Sequence, residues 1–257
     1  MAQLSEKKAF ICDMDGVIYS GNDLLPHAME FIDWLKTEKK EFLFLTNNSE
    51  KSRDELAQKL KRLGVEVDPM HFYTSSLATA SFLAHQTPGG SAYVIGDAGL
   101  INALYQAGFS MNDIDPDYVV VGETRSYSFE KIQHAVKLVL SGAKLIGTNP
   151  DLRCPTDKGP IPGCGAMVAP IELATDRRAY FLGKPNPLMI RHAMRCLSCD
   201  RMDILLIGDQ MDTDIIAGIH SEVDTVLVLS GVTREEDLVQ YAYRPTHILQ
   251  GVGDIIA

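Results

Sequence analysis

Short apolar runs alternate with amphipathic helical stretches along almost the whole of this 257-residue chain. The clearest runs are residues 9–12, 42–45 and 204–207. After the first run, Met29, Phe31, Ile32 and Leu35 follow helical spacing. Strands that alternate with helices pair in parallel and are covered by those helices on their faces. The pattern therefore predicts an α/β fold built on parallel sheets.

Two helix starts are marked by residues that cap backbone N–H groups. Ser52 and Glu55 have the spacing of a capping box, and the helix that follows them should end at Gly64. Asn186 precedes Pro187, which predicts an N-cap with proline in the first helical position.

Acidic residues outnumber basic ones, with 34 Asp and Glu against 24 Lys and Arg, so the net charge is −10. This surplus argues against nucleic acid or an anionic membrane surface as a partner. The first residues lack the apolar core of a signal peptide, and no stretch approaches the ~18 apolar residues of a membrane span. We therefore predict a cytoplasmic protein without nucleic-acid or membrane partners, and the composition leaves a homo-oligomer open.

Five cysteines make an odd count, which argues against a disulfide framework in such a chain. Cys196 and Cys199 have the spacing of a metal or redox pair, but the sequence has no second pair to complete a tetrahedral zinc site. We interpret them as incidental thiols.

Two carboxylates follow the first apolar run. Asp13 and Asp15 leave the end of a predicted strand on the same side, because strand side chains repeat every two residues. Two anions that close together favour a bound cation. Aspartate is also a common turn residue, so this pair gains its meaning from the residues further along the chain.

Polar residues follow three later apolar runs in the same way. They are Thr46, Asn47 and Asn48 after 42–45, Gly183 and Lys184 after 180–182, and Gly208 and Asp209 after 204–207, with Asp212 and Asp214 beyond. In an open parallel sheet the strands end at one edge, and ligands bind there where the winding reverses. We therefore expect these side chains to meet in one crevice. A carboxylate, a hydroxyl, an amide, a lysine and an acidic pair suit metal-assisted phosphoryl transfer.

Taken in chain order, these residues resemble the four motifs of the haloacid dehalogenase superfamily. The matching residues are Asp13-Met14-Asp15-Gly16, Thr46, Lys184 and the run from Gly208 to Asp214. Segments 46–49, 121–125, 148–151, 162–166, 183–185 and 229–232 resemble more narrowly its NagD-type phosphatases. The resemblance covers essentially the entire chain. It implies a Rossmann-like, doubly wound parallel-sheet core at residues 1–80 and 180–257, with an inserted α/β cap domain at 81–179.

The apolar runs at 92–95, 118–121 and 144–146 lie between the second and third motifs. An insertion of this size can bury its own core, and we interpret Tyr127 and Phe129 as part of it. Residues 96–99 have some likeness to a nucleotide-binding turn but lack the full glycine pattern, which argues against a dinucleotide.

The resemblance also implies catalytic roles. Asp13 would attack phosphorus and become an aspartyl phosphate, and Asp15 would protonate the leaving oxygen and then activate water. Thr46, Asn47 and Lys184 would hold the phosphoryl oxygens.

For the metal, the resemblance implies Mg²⁺ bound by Asp13, the backbone carbonyl of Asp15 and Asp209, since Mg²⁺ prefers oxygen ligands. Asp214 would orient these ligands from behind. Asp212 is interpreted as a cap or an exposed charge.

Substrate contacts are expected mainly from the insertion. Residues 148–151, with the Pro/Gly-rich segment 154–165, are predicted to form an irregular loop. Asn149, Asp151 and Arg153 are its candidate substrate-binding residues, although Asn and Asp are equally good turn formers. Gly16 and Asn48, within the first two motifs, complete the predicted substrate-binding set.

The sequence thus predicts Mg²⁺-dependent hydrolysis of small phosphate monoesters, with UMP and other nucleoside monophosphates first and sugar phosphates next. A phosphomutase is the closest alternative, since it shares the first steps. A dehalogenase would not need the second acid at Asp15, and a cation pump needs membrane spans. A phosphate-ester sensor without turnover is the non-enzyme alternative, but such a protein is expected to lack Asp13 or Asp15.

Overall fold

The computed structural model describes residues 2–154, 156 and 159–256. Within these ranges no helix combines the length and the apolarity that crossing a membrane requires. All five cysteines are free thiols.

The strands in the described ranges are β1 (Ala9–Cys12), β2 (Tyr19–Ser20), β3 (Asp23–Leu24), β4 (Glu41–Thr46), β5 (Phe72–Thr74), β6 (Ser91–Ile95), β7 (Ser110–Met111), β8 (Tyr118–Val121), β9 (Lys144–Gly147), β10 (Arg153–Cys154), β11 (Ile161–Pro162), β12 (Tyr180–Phe181), β13 (Ile204–Gly208), β14 (Asp224–Val228) and β15 (His247–Leu249). The α-helices there are α1 (Ala2–Ser5), α2 (Ala28–Thr37), α3 (Arg53–Arg62), α4 (Ser75–Gln86), α5 (Ala98–Gln106), α6 (Phe129–Ser141), α7 (Cys164–Thr175), α8 (Pro187–Leu197) and α9 (Ile216–His220). Shorter 3-10 or π turns lie at Pro69–His71, Arg201–Asp203, Met211–Ile215, Glu235–Gln240 and Val252–Ile255.

One compact unit comprises Met1–Thr46, Leu56–Tyr73 and Lys184–Ala257 and carries a six-stranded sheet. The strand order is β15-β14-β13-β1-β4-β5, and β1 pairs in parallel with both β13 and β4. The chain therefore winds outward in both directions from β1, and the winding reverses between β1 and β13. This is the doubly wound, Rossmann-like arrangement that the family resemblance implies.

The central strand β1 is apolar and buried at all four positions, as a strand covered on both faces should be. Its register places Cys12 beside Ile207 on β13 and Phe44 on β4. The backbone N–H of Asp13 continues the ladder by donating to the carbonyl of Ile207 at 2.8 Å. Residues that follow β1 and β13 therefore leave the sheet side by side, at the point of reversal.

Aromatic side chains fill the core beneath α2. Phe10 on β1 lies edge-on to Phe31 and Trp34, with ring centroids 6.1 and 5.4 Å away. The helical face predicted from the sequence is buried, except that Met29 at its first turn is 40% exposed.

The second compact unit comprises Asn47–Glu55 and Thr74–Gly183. Its five-stranded sheet has the order β12-β9-β8-β6-β7, and the pairs are parallel. The predicted runs at 92–95, 118–121 and 144–146 form β6, β8 and β9. The predicted cap, 81–179, lies wholly within this unit, which also takes 47–55, 74–80 and 180–183.

The run at 180–182 was expected to end at the same sheet edge as the others, and this expectation is wrong. Within this run, β12 pairs with β9 of the second sheet, with Tyr180 beside Ile146. The strand has two residues, so its own sequence carries too little pattern to specify a partner. The chain then enters the first unit at Lys184.

Residues 155, 157 and 158 of the predicted loop segment 154–165 lie outside the described residues, and the described part of the segment is more regular than predicted. Strands β10 and β11 form a small antiparallel hairpin, which Gly163 closes by donating its N–H to the carbonyl of Leu152 at 3.1 Å. Helix α7 then begins at Cys164. Pro162 therefore lies in a strand, and Gly163 is the residue before a helix start.

Phe129 is not in the core of the second unit, contrary to our interpretation. It is the first residue of α6, directly after the N-cap Ser128, and is 71% exposed. Tyr127 does pack against the buried cluster of that unit.

Both predicted caps are confirmed. The N–H of Ser52 donates to the carboxylate of Glu55 at 2.8 Å, and the N–H of Glu55 donates to the Ser52 hydroxyl at 3.3 Å. Asn186 accepts from Leu188 N–H at 3.0 Å, with Pro187 starting α8.

We predict that Phe10→Ala lowers the free energy of unfolding of the first unit by about 3–5 kcal/mol, because it leaves a cavity against two aromatic rings. Trp34 is the only tryptophan in the sequence, so its fluorescence during urea unfolding follows this core. Met202→Ala, in the same unit, is the control and should stay within about 0.5 kcal/mol, since its side chain is largely exposed. Equal shifts for the two variants would contradict this account of the core.

Candidate functional site

A buried ion pair network lies at the carboxyl end of β1. Lys184 is buried, with 2% of its surface exposed. Its ammonium lies 2.8 Å from Oδ1 of Asp13 and 2.6 Å from Oδ1 of Asp214. It also donates to the carbonyl of Leu45 at 3.4 Å. Burial alone would lower the pKa of Lys184, but the two carboxylates outweigh it and raise that pKa, so the ammonium form is held.

Burial makes the charged form of Asp13 costly. Burial raises its pKa well above the ordinary value; Lys184 opposes this shift, whereas the nearby carboxylates of Asp214 and Asp209 add to it. The ionised form of Asp13 therefore calls for more positive charge than Lys184 supplies.

Asp209 carries an unused acceptor. Its Oδ2 accepts from the N–H of Val232 at 2.7 Å, whereas its buried Oδ1 has no hydrogen-bond partner among the described residues. Burial and then the carboxylate of Asp214 raise the pKa of Asp209 to about 7. A buried oxygen without a donor is costly unless another group binds it.

Two glycines make room for this carboxylate. A Cβ at Gly16 or Gly231 would overlap the side chain of Asp209, so neither position has space for a larger residue. Gly16 also has φ +78°, which favours glycine. Its carbonyl accepts from the Ser230 hydroxyl at 2.7 Å.

These residues fit a divalent cation. Asp13, Asp209 and Asp214 each offer a carboxylate oxygen, and these three oxygens lie within 4.8 Å of one another. Three carboxylates against one ammonium leave an excess of two negative charges when all are ionised. Hard oxygen donors and the unpartnered Oδ1 of Asp209 suit Mg²⁺.

Asp15 differs from Asp13 in being exposed. Its Oδ2 accepts from the hydroxyl of Tyr19 at 3.2 Å. Burial, and then the charge of Asp15, raises the pKa of Tyr19 well above its usual value, so the hydroxyl remains a donor. Sequence reasoning missed Tyr19, because a tyrosine four residues after a carboxylate carries no recognisable pattern.

Thr46 is the last residue of β4 and is buried. Cys12 on β1 pairs with Phe44 on β4. Asp13 is one residue beyond this pair and Thr46 is two residues beyond it, so both lie at the carboxyl end of the sheet. The first unit therefore contains seven of the predicted residues: Asp13, Asp15, Gly16, Thr46, Lys184, Asp209 and Asp214. Asp212 is exposed there and accepts from the hydroxyls of Tyr241 and Tyr243 at 3.0 and 3.4 Å.

The second unit contains the other five, Asn47, Asn48, Asn149, Asp151 and Arg153. The side-chain amide of Asn47 donates to Oδ2 of Asp151 at 2.8 Å. The backbone carbonyl of Asn47 accepts from the side-chain amide of Asn149 at 2.8 Å. Asn48 accepts from Lys51 N–H at 3.1 Å. Arg153 is exposed on β10. The structure thus brings Asn47, Asn149 and Asp151 together through hydrogen bonds.

Glu123 organises this cluster and was given no role in the sequence analysis. It is buried, and its carboxylate accepts from the N–H and hydroxyl of Ser49 at 2.9 and 3.0 Å and from the Asn149 amide at 3.0 Å. Burial raises its pKa, and these hydrogen bonds oppose the shift. Segment 121–125 is part of the family resemblance, but the hydrogen-bond partners of Glu123 are visible only in the folded chain.

Family models match both ends of the chain: a haloacid dehalogenase-like hydrolase model at residues 10–110 and a HAD-hydrolase-like model at 181–255. A dihydroxyacetone phosphatase of Corynebacterium glutamicum is 40% identical, covering 96% of this chain and 90% of the relative. An acid sugar phosphatase of Staphylococcus saprophyticus is 38% identical, covering 97% and 96%.

The ribonucleotide monophosphatase NagD of Escherichia coli is 40% identical over 248 residues, covering 96% of this chain and 98% of the relative. The solved structure of NagD from Escherichia coli K-12 superposes with a TM-score of 0.91 at 38% identity, covering 96% of this chain and 98% of that one. The likeness therefore extends through both units.

We predict that Mg²⁺ raises the melting temperature of the protein. Binding to the folded state alone adds about 2.7 kcal/mol when the ion is at about 100 times its Kd. Asp209→Asn should abolish the rise, because it removes a charged ligand. Asp212→Asn, which changes an exposed neighbour, should keep it. A rise that survives in Asp209→Asn and disappears with Asp212→Asn would refute this assignment of ligands.

Proposed function

We propose that this chain, which belongs to the haloacid dehalogenase superfamily and within it to the NagD-type phosphatases, forms an aspartyl phosphate at Asp13 during Mg²⁺-dependent catalysis. The chain is a phosphoric monoester hydrolase. One observation carries the proposal: Lys184 is shared by Asp13 and Asp214, beside the unpartnered oxygen of Asp209.

Asp13 is the proposed nucleophile. Lys184 holds Oδ1 of Asp13, which leaves the second oxygen of the same carboxylate to attack phosphorus. Nucleophilic attack by a carboxylate divides one difficult displacement into two easier ones. The positive charge of Lys184 favours the ionised form of Asp13, although burial still raises the pKa of Asp13, and it also attracts the negatively charged phosphoryl group.

Asp15 is the proposed acid and base. Its exposure supports this role, because a proton must pass from it to the leaving oxygen and later return from water. The protonated carboxyl gives its proton to the leaving oxygen as the ester bond breaks. The resulting carboxylate then takes a proton from the water that hydrolyses the aspartyl phosphate.

Asp13, the backbone carbonyl of Asp15 and Asp209 would hold Mg²⁺, with Asp214 orienting the set through its contact with Lys184. When bound, the ion supplies the positive charge that the three carboxylates lack and draws electron density from the phosphoryl oxygens. Thr46, Asn47 and Lys184 are proposed to hold the remaining phosphoryl oxygens by hydrogen bonds.

Nucleoside monophosphates such as UMP are the proposed substrates, as the name of the Escherichia coli relative suggests. Sugar phosphates are the second candidate class, because other relatives of similar sequence identity are named as dihydroxyacetone and acid sugar phosphatases. Asn48, Asn149, Asp151 and Arg153 remain the proposed substrate-binding residues of the second unit. Gly16 remains one in the first unit, although its main observed contact is with Asp209.

We predict that Asp13→Asn lowers phosphate release from any substrate by roughly a thousandfold or more, because the amide is a poor nucleophile. The fold should persist, since asparagine has nearly the same shape and removes one of three crowded carboxylates. Asp33→Asn, at an exposed position on α2, is the matched control and should keep full activity. Normal turnover by Asp13→Asn would show that another group attacks phosphorus.

A substrate panel decides between the remaining possibilities. We predict that UMP has the highest kcat/KM among UMP, dihydroxyacetone phosphate and glucose 6-phosphate, and that EDTA abolishes turnover. Free phosphate and isomerised sugar phosphate should be measured in the same reactions. Isomerisation without phosphate release would identify a phosphomutase, and binding without either product would identify a sensor.

A further inference from the structure

The chain folds back on itself directly after Asp15. The carbonyl of Met14 accepts from the N–H groups of Ile18 and Tyr19 at 2.9 and 3.2 Å, and the N–H of Gly16 donates to the carbonyl of Tyr19 at 2.8 Å. Tyr19 then begins β2, which pairs with β3 in a short hairpin. The backbone of Tyr19 is therefore fixed beside Asp15 by local hydrogen bonds.

The ring of Tyr19 is fixed as well. Tyr19 is 2% exposed and belongs to the main core cluster of the first unit. The ammonium of Lys59 lies 3.5 Å from the ring centroid, on the face of the ring. A buried tyrosine needs a partner for its hydroxyl, and here that partner is Oδ2 of Asp15, at 3.2 Å.

We propose that Tyr19 is a positioning residue for the catalytic acid Asp15. This inference rests on the proposed function, which makes Asp15 the acid. The Tyr19 hydroxyl donates to Oδ2 and so leaves Oδ1 to carry the transferred proton. A rigid, buried donor thereby selects one orientation of an exposed side chain that would otherwise sample several.

The proton balance is simple. Oδ1 of the protonated Asp15 gives its proton to the leaving alkoxide as the P–O bond breaks and the bond from Asp13 to phosphorus forms. Asp15 is left as a carboxylate that still accepts from Tyr19. The Tyr19 hydroxyl keeps its own proton throughout, so it holds Asp15 in place during both steps.

Leaving-group chemistry supplies the test. An alkyl phosphate such as UMP needs a proton on its leaving oxygen, whereas p-nitrophenolate is stable enough to leave without one. Tyr19→Phe keeps the ring, its packing and the contact with Lys59 and removes the hydroxyl alone. For the alkyl phosphate that the substrate panel shows to be hydrolysed, we expect kcat/KM to fall by about tenfold, the effect of losing a hydrogen bond to a charged group. For p-nitrophenyl phosphate, we expect a fall of less than about twofold.

Tyr118→Phe is the matched control. Tyr118 is a buried tyrosine in the second unit whose hydroxyl lies 2.8 Å from the Thr87 hydroxyl. Its loss should lower kcat/KM for the two esters equally, if at all. Equal losses for the two esters in Tyr19→Phe, or no loss, would overturn the proposal, because a general disturbance of the hairpin does not depend on the leaving group.

Asp15→Asn separates this inference from the proposed function. It should itself lower kcat/KM far more for the alkyl phosphate, by about a hundredfold or more, and adding Tyr19→Phe should then cause no further loss. If Asp15→Asn affects both esters equally, the acid role of Asp15 is wrong. If Asp15→Asn discriminates between the esters but Tyr19→Phe does not, the role of Tyr19 alone is wrong.

Discussion

A single buried ammonium makes the buried carboxylate cluster of this protein physically feasible. Lys184 contacts Asp13 and Asp214 at 2.8 and 2.6 Å with almost no access to water. Burying a carboxylate without a partner costs several kcal/mol, and a third carboxylate, Asp209, stands close to these two. Lys184 therefore offsets part of the cost and leaves a remainder of negative charge. That remainder favours a divalent cation, which a fully neutralised site would not attract.

The doubly wound sheet explains how these distant residues meet. Asp13 and Asp209 follow β1 and β13, the neighbouring strands between which the winding reverses. Asp214 follows within the next turn of chain. Lys184 is positioned differently, because the strand before it, β12, belongs to the sheet of the second unit. Lys184 is the first residue of the last chain segment of the first unit, so its position depends on where that segment begins.

Much of this could be predicted from local sequence. The runs 9–12 and 118–121 match β1 and β8 residue for residue, and the caps at Ser52 and Asn186 form as expected. These features depend on neighbours in the chain. The errors concern β12 and the hairpin of β10 and β11, strands of two residues each, which are too short to show an alternating pattern. The partner of β12 is also a strand far away in the chain, β9. Tyr19 and Glu123 were missed for a related reason, since a hydrogen-bond partner is visible only after folding.

Burial of an acid does not by itself indicate catalysis, as two carboxylates of this chain demonstrate. Glu123 accepts from a backbone N–H, a hydroxyl and an amide, so both of its oxygens have donors within the fold, and it holds Ser49 and Asn149 in place. Asp209 has one oxygen bound by Val232 N–H and the other left without a donor among the described residues. Two glycines keep that carboxylate free of closer side chains. An acceptor that the fold leaves without a donor can bind an external group, whereas a carboxylate whose acceptors are all used by the protein serves the fold, and this difference is why Asp209, and not Glu123, is the candidate metal ligand.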